Sequence, residues 1–345
     1  MSVHRSGSGP LTLPARPDLA TIQARVTERL DQVVDEIERI VVSDFSPIDQ
    51  VSDYLLLVRG KLFRPTLLLL ASDVGGAELS SEEVSARSVT LAAVVELVHL
   101  ATLVHDDAVD HSVLRRGLPT VNALWTHQIA IIMGDYLYSR AVTELAGLGD
   151  LEAVRVLARA ANEMSVGEMR QLTSYDALDF SEEAYMRLIA AKTASLMSAA
   201  CEIGALAGAS RERARLARFG HHLGMAFQIV DDLLDYTGSE AVTGKPTGHD
   251  LRERKVTLPL LGALTRARAA EIREIRRFFT LVDPSDEDIA RIVGIVEERG
   301  GLDYARDRAS EYAERAETEL AGVGSGPAAV EALSNAVVYT VGRSR

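Results

Sequence analysis

From residue 18 onward, apolar side chains recur at three- and four-residue spacing, and Gly and Pro fall mainly between the periodic stretches. The pattern predicts helices near 18–42, 46–58, 62–73, 81–109, 119–147, 150–173, 181–207, 210–236, 255–267, 269–281, 285–299, 301–321 and 326–341. Ser80 or Ser81 ahead of Glu82 and Glu83, Ser181 ahead of Glu182 and Glu183, and Ser285 ahead of Asp286 and Glu287 have the form of helix caps. Val-rich stretches such as 89–98 keep helical spacing and length, and no alternating, β-branched segment bounded by turn residues stands out. The expected fold class is all-α. No flexible linker or fixed-period repeat interrupts 18–345, which reads as one large helical domain. Residues 1–17, with Gly, Ser, Pro and scattered basic residues but no apolar stretch, read as a disordered tail rather than a signal peptide. The polar break at 237–249, beside a charged motif, has the character of a lid.

Charge narrows the partners. The formal net charge is -13 with a pI near 5.2, so the molecule as a whole repels nucleic acid and anionic lipid. An anionic ligand therefore needs a local cation cluster or a metal. The lone cysteine, Cys201, excludes an internal disulfide and a cysteine metal cage and reads as a small buried hydrophobe. The longest apolar run, 91–104, is interrupted by Glu96 and His99 and reads as too short and too polar to span a bilayer. The expectation is a soluble, cytoplasmic protein.

One acidic pattern occurs twice, as Asp106, Asp107 and Asp110 and again as Asp231, Asp232 and Asp235, each at the C-terminal end of a mostly apolar helical stretch. Positions i and i+4 share a helix face, so Asp106 with Asp110, and Asp231 with Asp235, can converge on one ligand. Carboxylates at a helix C-terminus oppose the helix dipole, which makes them poor structural choices. Oxygen ligands at this density suit Mg²⁺ shared with substrate phosphates, and neither motif has the Glu-x-x-His form of helical-bundle iron sites. Basic residues accompany the acids. Lys61 and Arg64 stand at a predicted helix start, Arg115 and Arg116 follow the first motif, and Lys245, Arg254 and Lys255 follow the second. Together they describe a site for a metal-complexed diphosphate.

These residues, in this order, resemble the trans-isoprenyl diphosphate synthase (polyprenyl synthetase) family, particularly its longer-chain bacterial members. The resemblance runs from about Gly60 to beyond Pro259. It implies a single orthogonal helical bundle of the isoprenoid synthase type with a central cavity, a homodimer, and condensation of isopentenyl diphosphate with an allylic diphosphate. It assigns Lys61, Arg64, His99 and Arg116 to isopentenyl diphosphate, and Arg115, Lys192, Thr193, Gln228, Lys245 and Lys255 to the allylic diphosphate. The six aspartates take the metal, and Gln171 of the 167–172 segment stands near it. The stretch 244–259 follows the family loop except that His249 and Arg254 stand where Asp and Gly are common.

The residue types suit ionisation of an allylic C–O bond, in which negative charge develops on a diphosphate and a carbocation must be kept from water. A class I terpene cyclase needs no second diphosphate pocket, and here Lys61, Arg64, Arg115 and Arg116 supply one. A non-catalytic partner subunit would be expected to lose the aspartates. Small side chains at Ala101 and Thr102, one turn before Asp106, with Val98 beyond, are expected to line the product tunnel. Short-chain members tend to carry an aromatic residue there. A product beyond geranylgeranyl length is therefore favoured over a farnesyl or geranylgeranyl one.

Overall fold

The computed structural model describes residues 17–57, 60–75, 82–172, 180–237 and 248–343. The caps read at Ser80 or Ser81, almost all of the 1–17 tail and most of the 237–249 break lie outside them.

The predicted helix 18–42 is two helices, α1 (Leu19–Gln23) and α2 (Thr27–Val41). Asp18 caps α1 through the Thr21 N–H at 2.8 Å. The break leaves Gln23 turned to the start of α4, where its amide donates to the Lys61 carbonyl at 2.8 Å and the Thr66 hydroxyl at 3.0 Å. Then come α3 (Ser46–Leu57), α4 (Phe63–Asp73) and the long α5 (Glu82–Val109).

After α5 the chain makes a feature too short for alternation to reveal. Leu114–Arg115 (β1) pairs antiparallel with Leu118–Pro119 (β2), and Arg116 (φ 53°) and Gly117 (φ 78°) turn between them. Left-handed backbone at both turn positions matches the twist of a tight hairpin. The predicted helix 119–147 divides into α6 (Val121–Leu124) and α7 (His127–Gly147), because Thr126 caps α7 by accepting the Ile129 N–H at 3.1 Å. Next follow α8 (Leu151–Leu172) and α9 (Glu182–Ile189), the latter capped by Ser181 as its sequence predicts. A π-helical turn, Ala190–Ala194, joins α9 to α10 (Ser195–Gly208).

A 3₁₀ turn (Ser210–Glu212) leads into α11 (Arg213–Thr237). A short α12 (His249–Arg252) follows where a loop was expected, then α13 (Leu258–Leu264) and α14 (Ala269–Phe278). Ser285 forms a capping box at the start of α15 (Asp286–Glu298), and α16 (Gly301–Ala321) and α17 (Pro327–Gly342) complete the chain.

The all-α expectation holds. Helices α4, α5 and α10 supply much of the larger apolar core, with Leu67 to Leu70, Val94, Val95 and Ile203 fully buried. Two glycines set how close α10 comes to α4: a Cβ on Gly204 or Gly208 would stand 2.2 Å from the carbonyl oxygen of Leu68 or Ser72. A second core joins α9, the C-terminal half of α11 and α12 to α16. Residues Glu82–Val109 and Glu182–Gly208 are long and apolar enough to cross a membrane, yet 61% and 72% of their most apolar windows are buried inside the fold. Helix α5 thus exceeds the short run read from sequence, and its apolar surface is used for packing.

Candidate active site

Both aspartate motifs sit where long helices end. Asp106 and Asp107 occupy the last turn of α5, and Asp110 follows it with its N–H donating to the Asp106 carbonyl at 2.8 Å. Asp231, Asp232 and Asp235 lie in the last two turns of α11.

Flexible cations hold the first motif. Lys192 Nζ stands 3.5 Å from Asp106 and 2.6 Å from Glu168 of α8. Lys255 Nζ stands 3.8 Å from Asp110 and 2.6 Å from Glu253. Asp107 is buried and paired with Arg115 Nε at 2.7 Å.

Neutral donors hold the second. The buried Asp232 accepts the Tyr185 hydroxyl at 2.5 Å and the Gln228 amide at 2.8 Å. Gln228 in turn accepts the Thr193 hydroxyl at 2.7 Å, which joins two residues assigned to the same substrate. Asp235 accepts the backbone N–H groups of His249 and Asp250 at 3.2 and 3.0 Å. Asp231 is the open member, 3.3 Å from Arg343 at the end of α17. Lys192 and Thr193 are neighbours in the π-helical turn, so that turn ties one residue to each motif. Such turns interrupt helices where a side chain must be re-aimed.

Burial holds the Asp106 carboxyl above its usual range against the pull of Lys192. Burial, followed by the nearby Asp235 charge, pushes Asp250 up to about 7, and burial with Asp250 beside it pushes Asp232 well up. No three acidic, histidine or cysteine side chains converge on one point among the described residues, and Lys192 and Lys255 stand among the acids. Yet Glu168 Oε1, on the carboxylate that Lys192 pairs with, is buried without a hydrogen-bond partner. Crowded, destabilised carboxylates with an orphaned oxygen suit a hard divalent cation, to which the two lysines would yield.

The second cation group lies around the start of α4 and the hairpin. Arg64 is the second residue of α4, and Lys61 precedes it on an exposed loop whose Leu62 is left-handed (φ 50°). Burial lowers the Arg64 guanidinium while Glu96 of α5 supports its charge. Gly60 leaves room for Arg116, since a Cβ there would come 3.1 Å from Nη2. Burial first, then the charges of Arg64, Arg116 and Arg115, hold His99 well below its ordinary value. It is therefore a neutral imidazole at neutral pH, able to hydrogen-bond an anion without adding charge.

Some assignments fall elsewhere. Lys245 lies outside the described residues, and Gln171 is in the last turn of α8. Val98 and Ala101 are buried, and Thr102 is half-buried with its hydroxyl donating to the His99 carbonyl at 2.7 Å. The two departures in the family loop have structural correlates: His249 Nε2 meets Glu253 at 3.1 Å, and Arg254 adopts φ 58°, a conformation natural to glycine. Sequence reading missed Glu96, Glu168 and Tyr185 as neighbours of the assigned residues, and kept Asp250 only as part of the family loop. Glu96 and Glu168 each lie three residues before an assigned residue, His99 or Gln171, and could have been found by that helical spacing. Tyr185 gave no local signal.

The model of the family described as polyprenyl synthetase matches residues 46–296, a span that includes both motifs and both cation groups. The chain belongs to the polyprenyl synthetase family. It is a prenyltransferase of the longer-chain trans-isoprenyl diphosphate synthase type. It is 38% identical over 280 residues to heptaprenyl diphosphate synthase component 2 of Geobacillus stearothermophilus, covering 81% of this chain and 83% of that one. It is 36% identical over 303 residues to octaprenyl diphosphate synthase of Escherichia coli, covering 87% and 88%. Among solved structures, a decaprenyl diphosphate synthase from Rhodobacter capsulatus superposes with a TM-score of 0.87 at 35% identity, over 95% of this chain and 100% of that one. A polyprenyl synthase from Caulobacter crescentus, complexed with calcium and isoprenyl diphosphate, gives 0.87 at 33% identity over 95% and 98%. This polyprenyl synthetase thus has the all-α isoprenoid synthase fold, and divalent metal is the family's cofactor.

Proposed function

We propose that this chain condenses isopentenyl diphosphate with an allylic diphosphate to give a linear polyprenyl diphosphate longer than geranylgeranyl. The observation that carries this reading is the presence of two separate cation groups, Lys192 with Lys255 at the aspartates and Arg64 with Arg116 beside His99. A cyclase would need only the first.

Asp106, Asp110 and Asp231 are the proposed direct ligands of Mg²⁺. Asp107, Asp232 and Asp235, each held by a protein partner, complete the acidic shell and fix its shape. When bound, Mg²⁺ would neutralise the charge developing on the leaving diphosphate. Lys192, Lys255, Arg115 and Lys245 meet that diphosphate's oxygens, and Thr193 and Gln228 position the allylic end. Lys61, Arg64 and Arg116 hold the second diphosphate, and His99 donates a hydrogen bond to it. The allylic C–O bond breaks, the alkene of isopentenyl diphosphate attacks the cation, and the proton released passes to the departed diphosphate. The apolar helix walls exclude water that would trap the cation.

Ala101, Thr102 and Val98 are the proposed tunnel wall, residues 18–345 the catalytic unit, and a homodimer its assembly. The exposed Ile129, Ile132 and Tyr138 of α7 supply apolar surface for such pairing. A soluble, cytoplasmic setting fits the burial of both long apolar helices. The test is to incubate purified protein with labelled isopentenyl diphosphate, Mg²⁺ and geranyl, farnesyl or geranylgeranyl diphosphate, then to size the products. Wild type should extend past geranylgeranyl, and Ala101→Phe should stop at about farnesyl or geranylgeranyl length, because one aromatic ring fills most of a helical turn. Long chains from the Phe variant would sink the tunnel assignment.

A further inference from the structure

Each lysine beside the first aspartate motif stands closer to a glutamate outside both motifs than to its aspartate. Lys192 Nζ is 2.6 Å from Glu168 and 3.5 Å from Asp106, and Lys255 Nζ is 2.6 Å from Glu253 and 3.8 Å from Asp110. Attraction between unit charges falls with separation, so the glutamate has the stronger hold in both cases. The arrangement is built twice, from unrelated pieces of chain. Glu168 comes from α8 and meets Lys192 of the π-helical turn. Glu253 follows α12 directly, and the end of that helix brings Lys255 back onto it. The Arg254 N–H donates to the Leu251 carbonyl at 3.0 Å and the Lys255 N–H to the Asp250 carbonyl at 2.8 Å, with Arg254 left-handed between them.

Stability alone does not account for the two pairs. All six side chains are partly solvated, between 20% and 32% exposed, and ion pairs in such positions contribute little to folding. Their effect falls on the aspartates. Without Glu168, Asp106 is the other carboxylate that Lys192 reaches, and an ammonium resting on its oxygen has to be displaced before a metal can bind there. The same holds for Lys255 and Asp110. His249 Nε2 adds a second hold on Glu253 at 3.1 Å. Against the push of burial, His249 and Lys255 bring the Glu253 carboxyl down to about 2, so it is charged throughout the neutral range.

We propose that Glu168 and Glu253 are positioning residues: each holds its lysine off a metal-binding aspartate, leaving Asp106 and Asp110 open to Mg²⁺, and keeps the ammonium within reach of the leaving diphosphate. This rests on the proposed metal site and assigns neither glutamate to the metal. When the diphosphate arrives, the lysines exchange a glutamate for phosphate oxygens, and the aspartates have nothing to release.

Mn²⁺ binding to the full-length chain, read from the electron paramagnetic resonance signal of the free ion, tests it. Glu168→Gln and Glu253→Gln should each raise the dissociation constant at least about five-fold, the scale of a coupled pair of sites. Glu168→Asp and Glu253→Asp keep the charge but shorten the reach by one methylene, and should still raise it about two- to three-fold. Removing the lysine as well, in Glu168→Gln with Lys192→Met and in Glu253→Gln with Lys255→Met, should return the constant to within about two-fold of wild type although condensation is lost. The Mg²⁺ concentration for half-maximal condensation should rise in the single variants alongside the Mn²⁺ constant. Asp variants that bind Mn²⁺ like wild type would mean that charge alone matters, and double variants that stay weak would make the glutamates metal ligands; either result overturns the proposal. If wild type itself takes up no Mn²⁺, the metal site fails and the proposal with it, whereas wild-type uptake with unchanged Gln variants would sink the positioning role alone.

Discussion

The two aspartate motifs share a sequence pattern but not an environment. Around Asp106 and Asp110 the partners are Lys192 and Lys255, long side chains that also have second carboxylates to return to. Around Asp232 and Asp235 the partners are a buried tyrosine, a glutamine and two backbone N–H groups, none of which can leave without unfolding something. The first motif is built for exchange, with lysines that can move from carboxylate to phosphate. The second is built before any ligand arrives. Preorganised groups spend no reorganisation energy when charge develops.

The largest effect that would break this contrast is expected at the open ligands. Asp106→Ala or Asp231→Ala should lower condensation by about 10³-fold or more while leaving the folded structure intact by circular dichroism. Near-normal turnover in either variant would mean the site is misplaced. The contrast itself is sharpened by pairing Tyr185→Phe with Lys192→Ala. Removing the Tyr185 hydroxyl leaves a buried carboxylate short of a donor, so stability should fall by about 1–3 kcal/mol in urea titrations and kcat by about ten-fold. Lys192→Ala should cut kcat as much or more yet change stability by less than about 1 kcal/mol, since its partners are two partly solvated carboxylates. Equal destabilisation by both would erase the distinction.

Metal should show the same asymmetry more gently. Mg²⁺ with inorganic diphosphate, at about one hundred times its dissociation constant, should stabilise wild type by about 2.7 kcal/mol, and Asp106→Asn should lose most of that shift. An undiminished shift would put the metal elsewhere. The smallest expected change is at Arg254. Arg254→Gly relieves a left-handed backbone worth about 1 kcal/mol but gives up the bond to the Leu281 carbonyl. The melting temperature should move by only a few degrees, and a fall of more than about ten would show that the Leu281 contact matters more than the backbone.

Local pattern made much of this molecule legible. The 3.6-residue period announced α3, α4, α5, α8, α15 and α16 nearly to the residue, and Ser181 and Ser285 marked their helix starts. The aspartates stood out because repeated acids at a helix C-terminus have no structural reason to be there. What escaped depends on contacts distant in sequence. Tyr185 looks like any core aromatic until Asp232, 47 residues away, is seen to accept its hydroxyl. The break before α2 is tied to Lys61 and Thr66 through Gln23, which the periodicity of residues 18–42 does not register. A cavity lined by residues of α2, α3, α5, the hairpin and α6 draws on five elements at once.

The π-helical turn at Ala190–Ala194 carries one residue more than a regular turn would. It works as a gear between two stretches of one rod, α9 and α10, advancing the angular setting of one relative to the other by roughly 100°, the rotation a single helical residue supplies. Deleting one alanine from the turn would restore an unbroken ladder and could even favour the isolated helix. It would also rotate Tyr185 away from Asp232, or else Lys192 and Thr193 out of mesh with their acids. Across relatives, insertions and deletions should therefore avoid residues 185–193, however freely the loops around them vary in length.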